Sequence, residues 1–337
     1  MLGFGPLGSG ALGSVPSAVL HLTSDILLEV VTEFVNEGLL PGRPDELHHF
    51  TSLETAHRIL ENDDIRLSHA EYSNDQMEME EAKRIIRELV GAWSFSGPFL
   101  GNVFEQYNNV ASNLDAFIFC MSMGLTSDAA FPQDMLSQWR AYGQDGRGIC
   151  LTLDGSELGR RVSNTPGLRI NPVIYDRHIQ ERFIRAIIDR AVTAHQNGTP
   201  NADQAAVAAL VYATPLMKDP GFAEEREWRL IFMPPANVTP HLYFHARRDF
   251  IAPFITLNDV WANMRPTMLA IPELADTLPA PLQPAQVPPL IPVTRAMVGP
   301  SGHQLLNRRA IQKLVAQSPH RAAVHILSST IPYRSLA

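Results

Sequence analysis

Cysteine is nearly absent from this sequence. Cys120 and Cys150 are the two among 337 residues, too few for a disulfide framework or a cysteine-rich zinc site. Each lies in a strand-like run, Phe117-Ile118-Phe119-Cys120 and Gly148-Ile149-Cys150-Leu151, so two buried thiols in a reducing cytoplasm are expected. Residues 1–17 hold five glycines and neither lysine nor arginine, which excludes the basic n-region of a secretory leader. No apolar run reaches the roughly 18 residues that span a bilayer, and no membrane association is expected. Positive charge is not in excess: the net charge is −8, which disfavours coating of nucleic acid or anionic lipid, since such binding rests on Lys and Arg. The twelve histidines include no HExxH pair or other close ligand spacing, so no metal centre is expected. The turn Gly299-Pro300-Ser301-Gly302 lacks the lysine of a P-loop, which disfavours NTP hydrolysis.

The chain is 45% hydrophobic and 18% charged, enough to bury a sizeable core. Residues 1–22 read as a flexible glycine-rich arm whose expected use is to dock a protein partner. Residues 23–46 read as a leading helix and linker: Ile26, Leu27, Val30 and Phe34 share one helical face, and Gly38 with Pro41 ends the run. From 47 to 335 the pattern is that of one domain. Thr51 and Glu54 have the spacing of a capping box ahead of a helix over 52–60. Met79, Ala82, Ile86, Leu89 and Trp93 define a second helical stripe. Apolar runs at 116–122 and 148–153, bounded by turn residues, predict central strands, with further strands at 65–68, 173–175, 227–232, 296–298 and 323–327. Helices are expected over 178–194, 204–213 and 304–316. The stretch 278–292 holds six prolines and is expected to be a surface excursion.

Two features carry chemistry. A histidine pair, His48-His49, ends a strand-like run before the capped helix; His49 is expected to face a cleft, with His48 on the opposite side. Glu225 and Glu227, read as one extended segment, put two carboxylates on one strand face, where Arg226 and Arg229 are available as partners. The pair fits an ion-pair network, and it equally fits chemistry on a sugar, with one carboxylate gripping a hydroxyl and the other orienting a nucleophile. Asn74 and Asp75 are turn and cap residues or substrate contacts. Trp139, Arg140 and Tyr142 form a helical segment in which Arg140 is suited to hold a diphosphate.

The ordered set His49-Phe50-Thr51-Ser52-Leu53, Ser73-Asn74-Asp75, Phe119-Cys120-Met121-Ser122, Ser137-Gln138-Trp139-Arg140-Ala141-Tyr142-Gly143, Gly148-Ile149-Cys150-Leu151, Glu225-Arg226-Glu227-Trp228-Arg229 and Ile331-Pro332-Tyr333-Arg334 resembles the bacterial domain of unknown function 2971 family. More distantly, a strand histidine followed by threonine and a helix, a mid-chain strand ending in serine, and a late Glu-x-Glu resemble the ADP-ribosyltransferase fold. That likeness implies an α+β domain with a mixed, split central sheet, NAD as substrate, and ADP-ribosyl transfer or NAD hydrolysis in bacterial conflict or defence, with nucleic acid or protein as acceptor. It gives His49 the NAD ribose, Glu227 the developing sugar cation and Glu225 the acceptor. Thr51, Asn74 and Arg140 would be further NAD contacts, and Tyr72 or Ser122 would support the nicotinamide. The other expectations are a non-catalytic nucleotide or nucleic-acid sensing module using the same cleft, or a metal-free nuclease. A likeness of fold is an analogy about function.

Overall fold

Alternating and apolar runs of the chain pair into ten strands among the described residues. The computed structural model describes residues 17–72, 76–124, 133–163, 165–235, 238–246, 249–269, 291–318, 321 and 323–333. The strands are β1 (Glu46–Thr51), β2 (Arg66–His69), β3 (Phe117–Ser122), β4 (Ile149–Asp154), β5 (Leu168–Pro172), β6 (Glu227–Phe232), β7 (Tyr243–Ala246), β8 (Ile251–Thr256), β9 (Val293–Val298) and β10 (His325–Ser328). Their order is β10-β9-β4-β1-β3-β2-β8-β7, with β6 also on β3 and β5 on β6. Every pair is antiparallel except β9 with β10.

The sheet divides at β3. One edge of β3 is taken along its length by β6, from Phe117↔Phe232 to Ser122↔Glu227. The opposite edge is shared: β2 pairs at Ser68↔Ile118 and His69↔Phe117, while β1 joins through the single pair His48↔Ser122. This is the mixed, split α+β sheet expected. Gly148 lets β4 start flush against β1, because a Cβ there would collide with the Thr51 carbonyl.

Ten helices clothe the sheet among the described residues: α1 (Ser17–Asn36), α2 (Leu53–Asn62), α3 (Gln76–Ser94), α4 (Pro98–Ala111), α5 (Leu136–Ala141), α6 (Gly155–Ser163), α7 (Arg177–Gln196), α8 (Ala202–Ala213), α9 (Leu257–Leu269) and α10 (Gln304–Ala316). None of them is long and apolar enough to cross a membrane. Phe34, Ile86, Val103, Phe183 and Leu210 from α1, α3, α4, α7 and α8 pack on Ile118 and Ile231 on one face. Phe117, Phe119, Met121, Trp228 and Leu230 point to the other face, where Ile59, Leu158, Val260 and Ile311 from α2, α6, α9 and α10 cover them. A smaller cluster of Phe50, Met135, Trp139, Cys150 and Met297 lies under α5.

Several boundaries move. Thr51 pairs with Ile149 at the end of β1, so it does not cap α2; Ser52 does, its Oγ accepting the Thr55 N–H at 3.0 Å. Ser52→Ala is expected to cost about 1 kcal/mol, read by urea denaturation. The leading helix begins at Ser17, within the stretch read as arm. Segment 173–175 contributes one bridge, Ile174 to Met217, because the strand lies just before it as β5. The proposed arm before residue 17, Asn74, Asp75 and nearly all of the proline-rich stretch lie outside the described residues.

Candidate functional site

Side chains directly opposite one another in a sheet project from the same face. The register therefore assembles a transverse polar row across both halves of the sheet. Arg295 stands opposite Thr152, Thr152 opposite His48, His48 opposite Ser122, and Ser122 opposite Glu227. His48, Ser122 and Glu227 are all buried, and the row runs through the single pair that joins the two half-sheets.

Glu227 is the most strongly held member. Arg229, two residues on and so on the same strand face, donates from Nε to Oε1 at 2.8 Å and from Nη2 to Oε2 at 2.9 Å. Lys218 Nζ donates to Oε2 at 3.1 Å, and the Cys120 thiol hydrogen-bonds the same carboxylate. Burial alone would raise its pKa, but Arg229, Lys218 and Cys120 outweigh that penalty and hold it at about 2. The Glu227 backbone N–H donates to the Tyr175 hydroxyl at 2.9 Å.

The expectation that Glu225 shares a strand face with Glu227 is corrected. Glu225 ends a 3-10 turn over Pro220–Glu225, and Arg226 follows in the left-handed region with φ +46°, so the strand begins only at Glu227. The carboxylates converge for another reason: Lys218 Nζ also donates to Glu225 Oε2, at 2.7 Å. The other Glu225 oxygen accepts the Tyr142 hydroxyl at 2.6 Å. Burial and the adjoining Glu225 push the Tyr142 phenol up, so it remains a donor. Of the two arginines offered as partners, Arg229 serves and Arg226 turns away to the Gly124 carbonyl. Lys218, which the sequence reading passed over, joins the two carboxylates.

The histidine assignment is also corrected. His49 donates from Nδ1 to the Cys120 carbonyl at 2.9 Å, the carbonyl being able only to accept, and its ring lies 4.2 Å from that of Phe119. Phe119 belongs to the apolar face away from Glu227, so His49 and Glu227 occupy opposite faces. The histidine on the Glu227 side is His48, whose Nδ1 is 3.1 Å from Thr152 Oγ1. Burial, followed by the Arg295 charge, lowers its pKa to about 3; burial lowers that of His49 to about 4 against the opposing effect of the Cys120 carbonyl. Both are neutral at pH 7.

Of the two middle candidates, Ser122 sits in the row, its Oγ accepting the Gly124 N–H at 3.1 Å. Tyr72 packs on His69 and Phe250, at the Phe117 end of β3 and so roughly 17 Å along the strand from Ser122. Thr51 is buried at the β4 side of β1. Trp139 is core, with Nε1 on Asp134 at 2.8 Å. Arg140 is exposed and stacks over the Tyr333 ring at 5.0 Å; no contact joins it to the row among those described.

Cys150 is buried as expected, but Cys120 is exposed; it pairs with Arg229 on one edge of β3, while on the other edge β2 and β1 pair only at Phe117, Ile118 and Ser122. Its neighbours on that face are Glu227, whose carboxylate the thiol hydrogen-bonds, and Tyr142. Between α3 and the start of α7 lies a cavity of about 630 Å³ that Lys218 helps to line. Two of its arginines are ion-paired, Arg84 with Glu81 and Glu88 and Arg177 with Glu181, while Arg177 Nη1 is buried without a hydrogen-bond partner. Among the described residues no three His, Cys, Asp or Glu side chains converge as metal ligands.

Neither the curated proteins nor the solved structures give a match to this chain. Residues 138–230, a span that holds Lys218, Glu225, Glu227 and Arg229 together, match the family described as "Protein of unknown function (DUF2971)", the same family that the ordered motifs resemble.

Proposed function

We propose that this chain binds NAD over the row of His48, Ser122 and Glu227 and passes its ADP-ribose to an acceptor or to water, releasing nicotinamide. The observation that supports this reading is the row itself: a histidine, a serine and a glutamate, the residue types to which the distant resemblance attaches that chemistry, stand side by side, with the exposed Cys120 beside them. In the reaction the bond between ribose C1′ and the nicotinamide nitrogen breaks and its electron pair leaves with nicotinamide. The cationic sugar then needs a carboxylate, and the attacking hydroxyl needs a group to orient it.

Glu225 suits the first task better than Glu227. Both Glu227 oxygens are held by a guanidinium and an ammonium, which offset its field. The Glu225 side chain is 17% exposed against 6% for Glu227, and Tyr142 and Lys218 fix its direction. Glu227 acts one step removed, anchoring Lys218, while His48 and Ser122 face the ribose as neutral hydrogen-bonding groups.

A nicotinamide-release assay on the purified chain tests the reading. Turnover is expected in the wild type, and Glu225→Gln should lower it on the order of 10²-fold through lost electrostatic stabilisation. A chain that releases no nicotinamide from NAD would remove the transferase reading. The saturation of Glu227 by Arg229 and Lys218 favours one alternative, a non-catalytic nucleotide-binding module, in which NAD binds without being consumed.

A further inference from the structure

The net charge of −8 conceals a division along the chain. Asp276 is the last acidic residue; the 61 residues that follow carry six cations, Arg295, Arg308, Arg309, Lys313, Arg321 and Arg334, and neither Asp nor Glu. Residues 1–276 hold the other 21 Lys and Arg against all 35 acids, a net charge of −14. The fold neutralises two of the six cations from that acidic part, Arg295 with Glu46 and Arg321 with Asp63. Arg308, Arg309 and Lys313 sit together on α10 and make no ion pair among the described residues.

α10 packs inward through Ile311 and Val315. Its outward side exposes Leu305, Leu306, Arg309, Gln312 and Lys313, with the two leucines 61% and 66% exposed. Helical spacing puts Leu305, Arg309 and Gln312 on one line and Leu306 and Lys313 on the next, so apolar and cationic groups share one face. A partner for that face must take both kinds of group. Nucleic-acid phosphates would answer the cations only, and the face offers no aromatic ring on which a base could stack. The boundary of an anionic bilayer answers both, since leucine enters the acyl margin while Arg and Lys reach up to the headgroups. We propose that the outer face of α10 docks on an anionic lipid surface, with Leu305 and Leu306 in the headgroup boundary and Arg309 and Lys313, flanked by Arg308, held to lipid phosphates. Such a contact is peripheral and needs no membrane-spanning helix. It requires neither NAD nor its chemistry.

Co-sedimentation of the full-length protein with vesicles of phosphatidylglycerol and phosphatidylcholine in equal parts tests this, with pure phosphatidylcholine vesicles as the control. Binding is expected to the mixed vesicles and little to the control. Raising the salt from about 0.05 M to about 0.5 M should release most of the bound protein, because screening shortens the reach of the cations. Arg309→Gln combined with Lys313→Gln should weaken binding about 30-fold, at roughly fivefold per cation near an anionic surface. Leu305→Ala combined with Leu306→Ala should weaken it on the order of tenfold or more. All four positions face solvent, so urea denaturation of both variants should match that of the wild type. Equal binding to the two kinds of vesicle, or binding to neither, overturns the proposal. Binding that the glutamines abolish and the alanines leave intact also overturns it, since the face would then be a contact for phosphate in any polyanion.

Discussion

Replacing Arg229 by alanine is expected to destabilise the folded protein by on the order of 3–5 kcal/mol, the usual cost of stripping one partner from a buried ion pair. The guanidinium is 2% exposed, donates twice to Glu227 and donates from Nη1 to the Pro215 carbonyl at 2.6 Å. Without it, Glu227 keeps its charge in a buried site with Lys218 as its main cation, and the Pro215 carbonyl loses a donor. Glu227→Gln should also destabilise, since an amide cannot satisfy a guanidinium and an ammonium together; its activity must be read per folded molecule. Exchanging both Glu227 and Arg229 for apolar residues of similar volume should cost less than the single Arg229→Ala change. Urea denaturation of the three variants decides it. A loss below about 1 kcal/mol for Arg229→Ala would mean that the pair is relaxed or hydrated.

How far the sequence disclosed this arrangement depends on which residues are asked about. β6 and α10 begin and end where apolar periodicity and turn punctuation put them, because those signals are local. α4 was legible but unread: Pro98 at its first position after Gly97 is a standard helix start. The choice between His48 and His49 was not legible. Adjacent strand residues face opposite ways, and only the partner across β3 says which of them meets Ser122. Glu225 and Glu227 were paired for the wrong reason, since a left-handed arginine at 226 leaves no mark in the sequence. Lys218 did leave one. It is one of three lysines, with Lys83 and Lys313, and a buried lysine calls for acidic partners. Those partners lie seven and nine residues downstream, brought back by the 3-10 turn.

Stability should fall steeply as the solution is made acid, beginning near pH 6.5, above the range in which carboxylates titrate. His48 is 2% exposed and takes up a proton only at about 3 when folded, against an ordinary value of 6.5 in the unfolded chain. Below pH 6.5 protons therefore bind preferentially to the unfolded chain. Its contribution is fully present above that pH and is lost as pH falls toward 3, at about 1.4 kcal/mol per pH unit. His49, whose folded value is about 4, has the same sign and a smaller weight because it is half-buried. Glu227, held at about 2 when folded, adds a further loss from roughly pH 4.5 downward, where the unfolded carboxylate protonates first. Unfolding free energies from urea titrations between pH 8 and pH 4 should be level above pH 7 and should then drop by on the order of 4 kcal/mol by pH 4. His48→Gln should remove about 1.4 kcal/mol per pH unit from that slope. A profile that stays flat through pH 5 would mean that His48 is charged in the folded protein. It would then be a cation able to grip a diphosphate, and the neutral, ribose-facing role given to it here would be wrong.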